Sequence, residues 1–201
     1  MPPSLLTGSI TSLFTRSKKN KPSRRRAVSR RTLEICIYAM LGTLMFCSKI
    51  VMEVLPNIHL LGTLVMVYTV VYRHKALIPI YIYVVLNGLY AGFATWWTPY
   101  LYIWAVLWAV TMLIPRNLPR KVLCVIYPVV CSLHGFAFGI LYAPVQALIH
   151  GFDFEQTLVW ISTGLAFDII HGIGNFFAGL LIIPLSDTLK KLAVRLSKNI
   201  I

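Results

Sequence analysis

The chain has 201 residues, of which 58% are hydrophobic and only 12% charged, with a mean hydropathy of +0.75. A water-soluble domain carries more charge than this, so the composition argues for an integral membrane protein and against an ordinary soluble enzyme or binding domain. The net charge of +13 would suggest a nucleic-acid ligand in a soluble chain, but the placement of the cations gives it another meaning.

In chain order, residues 1–32 form a basic arm that reads as a topology signal against anionic headgroups. Leu6, Ile10, Leu13 and Phe14 are spaced for a short interfacial helix, and a disordered arm is the alternative. No A-x-A-like site follows the first apolar run, so a cleaved signal peptide fits poorly. Aromatic residues are not interleaved with the charges, which argues against nucleic-acid binding. Six apolar segments then predict membrane helices near Leu33–Leu55, Ile58–Tyr72, Ala76–Ala94, Tyr100–Ile114, Val122–Ile149 and Thr157–Leu185. The second and fourth are short for a full span. Pro128 and Pro144 predict kinks in the long fifth. A basic tail, 187–201, closes the chain.

Every Lys and Arg except Lys49 falls in the arm, in residues 73–75, in 116–121 or in the tail. The alternate connections, around Pro56–Asn57, Thr95–Pro99 and His150–Gln156, have none. By the positive-inside rule both termini are cytoplasmic. The predicted fold is therefore an all-α membrane protein, six transmembrane helices in one bundle over residues 33–186, multi-pass in a cell membrane.

Within the spans a few polar groups stand out. Asp168, His171 and Asn175 are spaced i, i+3, i+7 and share one helix face with Gly164, Gly172 and Gly179. At 1.5 Å per residue, Asn87, His134 and Asp168 all fall near mid-membrane, about 16–18 Å from the ends of their spans. An unpaired charge there costs at least a few kcal/mol, so these groups must meet one another, water or a ligand. Aromatic stripes flank them: Tyr127, Phe138 and Tyr142 beside His134, Trp97, Tyr100, Trp104 and Trp108 on the fourth span, and Tyr83 and Tyr90 around Asn87. Aromatic walls with a few convergent polar groups suit a small organic ligand. The plainer readings are helix packing for Gly88/Gly92 and Gly135/Gly139, an interfacial belt for Trp96 and Trp97, and interhelical hydrogen bonding for Asn87. Lys49 and Glu53 are spaced to pair on the first helix. The four cysteines read as small buried apolar residues inside the spans; no zinc spacing occurs, and no metal or cofactor is expected.

The stretches "ALIPIYIYVVLNGLYAGFATWWTPYLYIWAVLW" and "GLAFDIIHGIGNFFAGLLIIPL", with six spans and a basic start, resemble the S-components of energy-coupling factor (ECF) transporters, particularly those of Firmicutes. The resemblance covers roughly residues 33–186. It implies capture of a vitamin-like micronutrient from a prokaryotic cell's surroundings, for which the convergent polar and aromatic residues Asn87, Trp97, Tyr100, His134, Tyr142, Asp168, His171 and Asn175 are the candidate contacts. It also implies a transmembrane coupling protein and two ATPases as partners. The family's A-x-x-x-A partner motif has its nearest match at Ala39, Gly42 and Thr43, with Thr43 departing from the second alanine. No G-x-x-x-x-G-K-[ST] occurs, so ATP hydrolysis by a P-loop in this chain is not expected. Two other readings are an intramembrane enzyme using Asp168 with His134 or His171, and a stand-alone small transporter with those groups as a proton relay.

Overall fold

The computed structural model describes residues 24–55 and 58–198, with side chains over 31–55 and 58–196. The interfacial helix expected around Leu6 to Phe14 lies outside them. Regular structure among the described residues is helical: α1 (Arg24–Val51), α2 (Leu61–Tyr72), α3 (Leu77–Ala91), α4 (Tyr100–Leu113), α5 (Arg120–Phe136), α6 (Phe138–His150), α7 (Phe154–Gly179) and α8 (Ile182–Lys198). Single 3₁₀ turns follow α1 and α2. Four helical stretches are long and apolar enough to cross a membrane, namely Arg31–Val54, Leu61–Ala91, Arg120–His150 and Phe154–Gly179, with Tyr100–Leu113 a shorter apolar helix.

The centre of the bundle is α2. Its sequence LGTLVMVYTVVY is apolar on every side, and every residue but Val70 is buried. Such a helix cannot face water, so other helices surround it: α1, α4, α5, α7 and α8 all pack on it. Tyr68 donates its hydroxyl to Leu41 O at 3.1 Å, fastening α2 to α1. The stretch from Leu61 to Ala91 turns at Arg73, whose φ of 56° and ψ of −121° suit glycine better than an L side chain. Trp108 Nε1 donates to Arg73 O at 3.1 Å and the Arg73 guanidinium donates to Met112 O at 3.0 Å, so α4 holds the turn in place.

Small residues set the closest helix approaches. A Cβ on Gly135 would lie 2.8 Å from Gly172 Cα, and one on Gly179 2.7 Å from Pro128 Cα, so α5 and α7 meet backbone to backbone. Ser132 Oγ donates to Gly172 O at 2.8 Å across the same contact. Gly88 and Gly92 do something else. Gly92 ends α3 with a φ of 90° and nothing near its absent Cβ, while Gly88 admits the rings of Phe93 and Trp97.

Three expectations change. The long fifth segment is interrupted at Ala137, while Pro128 and Pro144 lie inside α5 and α6. Tyr102 donates its hydroxyl to Leu141 O, close to where Pro144 removes a donor from the ladder. The sixth segment stops at Gly179, and much of the expected tail is α8, an amphipathic helix with Ile182, Ser186 and Ala193 buried. Arg120 pairs with Asp187 at 2.7 Å and ties α8 to the start of α5. Finally, Cys131 is buried but Cys36, Cys47 and Cys124 lie on the bundle's outer surface, and all four are free thiols. Lys49 and Glu53 pair at 2.9 Å as their spacing predicts.

Candidate functional site

The polar face of α7 is buried as a stripe: Asp168, His171, Gly172, Asn175 and Gly179 are covered, while Phe167, Ile169, Ile170, Ile173, Phe176 and Phe177 point outward. A helix with 3.6 residues per turn puts one polar face inward and leaves a broad apolar surface for lipid.

Asp168 meets the interruption between α5 and α6. Gly139 lies in the first turn of α6, where backbone N–H groups lack helical acceptors. Its N–H faces both Asp168 oxygens at 3.1 Å. A carboxylate at a helix N-terminus also meets the positive end of the helix dipole. A side chain at Gly139 would collide with the Asp168 carboxylate, so the glycine makes the contact possible. Asp168→Ala should leave that N–H unpaired and destabilise the protein by about 1–3 kcal/mol. Asp168→Asn keeps an acceptor and should cost clearly less. Thermal melting in detergent checks this; equal losses in both variants would mean that the negative charge, rather than the cap, is what matters.

One turn further along α7, His171 joins an aromatic cluster. Its ring centroid lies 4.7 Å from His59 and 4.9 Å from Phe138. Trp104 lies 6.4 Å from His59, 5.8 Å from His134 and 6.1 Å from Phe138, and His134 lies 6.3 Å from Phe138. Five rings from α4, α5, α6, α7 and the approach to α2 therefore form a closed circuit. His171 stands about 25 Å along α7 from Phe154. Because His59 touches it, the chain dips that far below the Phe154 end before α2 begins. The shortness of α2 thus leaves the level above it to aromatic side chains.

Those side chains form a file. Trp96 packs on Tyr100 at 5.7 Å, and Tyr100 contacts Tyr142, Phe138 and Trp104. Tyr142 stacks on Trp160 at 6.0 Å with planes 13° apart, and its hydroxyl donates to Trp96 O. The file runs from Trp96 and Trp160 down to the histidines.

Several buried polar atoms in this region have no partner among the described residues: Trp104 Nε1, His134 Nδ1, His171 Nε2, Asn175 Oδ1 and Asn87 Oδ1. Native interiors pair most such atoms, so a concentration of them marks a place completed by water or a ligand. A groove of about 680 Å³ along the outside of α3, lined by Leu77, Ile78, Tyr81, Ile82, Val85 and Leu86, is separate from these residues.

Tyr100, His134, Tyr142 and His171 all pack on Phe138. Asn175 lies one turn deeper, donating to Cys131 O at 3.3 Å. Asn87 is buried one turn from Tyr83, which packs on Trp104 at 6.1 Å. Trp97 turns away. Its Nε1 donates to Val84 O at 2.8 Å and its ring packs on Phe93, so it closes the α3–α4 connection while Trp96 joins the file. Of the expected partner face, Gly42 is buried, with a Cβ there falling 2.5 Å from the Ile82 side chain; Ala39 and Thr43 are exposed. Gly42 thus serves the α1–α3 contact instead of an outside partner. His59 was not among the sequence candidates. Its signal, a histidine in the apolar run IHLLG at a helix start, is faint.

Among the described residues no three His, Cys, Asp or Glu side chains group to hold a metal ion. No family model, curated protein or solved structure matches the chain.

Proposed function

We propose that this protein is the substrate-capture subunit of an ECF-type importer, crossing the membrane six times with both termini cytoplasmic. In this reading it binds a small water-soluble micronutrient from outside. The observation that carries the reading is the set of unpartnered polar atoms on Trp104, His134 and His171 at the foot of an aromatic file. Aromatic walls with few, well-placed polar groups are the chemistry of small-molecule sites. The side of the basic residues supports the orientation, and it puts Trp96 and Trp160 at the outer end. The likeness of residues 33–186 to S-components supports a coupling membrane protein and two ATPases as the source of energy.

The arrangement is tested by affinity purification of the tagged protein from its native membranes in mild detergent. A membrane coupling protein and two ATPases should co-elute, and uptake by the reconstituted assembly should require ATP. Substrate accumulation in liposomes by this chain alone would replace the reading with a stand-alone transporter.

A further inference from the structure

The unpartnered atoms also say what kind of molecule completes the cluster. Trp104 Nε1 can only donate. His134 Nε2 lies 3.2 Å from Ile103 O, which can only accept, so in the neutral imidazole the proton is on Nε2 and Nδ1 offers a lone pair. The site therefore asks for an acceptor at Trp104 and a donor at His134, with His171 Nε2 able to serve in either sense. Trp104, His134 and His171 are 1%, 7% and 3% exposed, so water outside the protein does not satisfy them. Among the described residues Asp168 is the only Asp, Glu, Lys or Arg that is buried, and its carboxylate is taken up by Gly139 N, so no fixed charge is left free to pair with an ionic ligand.

One ring in the cluster differs from the others in its support. His59 belongs to no helix, is partly exposed, and stands edge-on to both His171 and Trp104. It is itself a flat ring carrying one N–H and one lone pair. Resting on the capture reading, we infer that the site takes an uncharged, planar nitrogen heterocycle with a donor and an acceptor on its edge, and that His59 occupies that ring's place until the ligand displaces it. Edge-to-face contact with Trp104 and His171, the two rings that His59 meets, then supplies affinity, and the paired edge atoms supply selectivity.

His59→Gly should leave a ring-sized vacancy. At about pH 8, where imidazoles are neutral, imidazole and benzimidazole should raise the melting temperature of this variant and quench tryptophan fluorescence. They should bind at least tenfold more tightly than to the unaltered protein, while benzoate and cyclohexylamine do nothing. His59→Phe fills the place with a ring lacking nitrogen and should abolish benzimidazole binding. A folded His59→Gly protein indifferent to both heterocycles would overturn the inference. So would equal binding of benzoate, or benzimidazole binding that survives His59→Phe. The two readings fail separately. An aliphatic or ionic compound released from the purified native protein would defeat the heterocycle class and leave capture intact, whereas rescue of His59→Gly with no molecule ever captured by the native protein would do the reverse.

Discussion

Gly135→Ala should destabilise the protein by about 1–3 kcal/mol or more. The new Cβ would sit 2.8 Å from Gly172 Cα and 2.9 Å from Gly172 N, which are backbone atoms that no rotamer change can move. Helices α5 and α7 would have to separate. That separation would stretch the bonds from Ser132 to Gly172 O and from Asn175 to Cys131 O, and shift His134 relative to His171. Gly164→Ala is the control, because nothing lies within 4 Å of its Cβ position. It should stabilise slightly, as alanine does in a helix interior, by about 0.5–1 kcal/mol. Melting of both variants in one detergent reads the contrast. A Gly135→Ala protein as stable as the parent would show that the two backbones are not in contact.

The second large effect is on binding. His134→Ala and Trp104→Phe should each weaken capture of the native substrate at least tenfold, about 1.4 kcal/mol. The tryptophan change keeps a ring and removes only the Nε1 donor, so its loss reports on the unpartnered N–H rather than on packing. Tyr81→Phe, on the outer groove of α3, should leave affinity unchanged. Wild-type affinity in both cluster variants would remove the site.

Much of this was legible in the sequence for a definite reason. On an apolar background, polar residues at helical spacing stand out, so Asp168, His171 and Asn175 declared the inner face of α7. Hydropathy placed the start of α4 and the end of α2 at the observed residues. The interruption at Ala137 was not legible, because the acceptor for Gly139 N comes from α7, remote in sequence, while the prolines that mark breaks locally lie inside the two helices. Helix α8 was hidden because Lys190, Lys191 and Arg195 lower the average hydropathy that its buried face would raise. His59 was missed because its partners, His171 and Trp104, are remote in sequence, and no local pattern encodes that meeting. Trp97 lies apart from the file for a related reason. Adjacent residues on a turn can face opposite ways, and the bond to Val84 O decides which tryptophan enters the file.

Mass spectrometry of small molecules released from freshly purified, undialysed protein bears most directly on whether this chain grips a solute at all. A single compound should be released by the parent protein in near-stoichiometric amount, and the His134→Ala protein, folded and handled identically, should yield none. Equal recovery from both, or nothing from the parent across several growth media, would contradict the account.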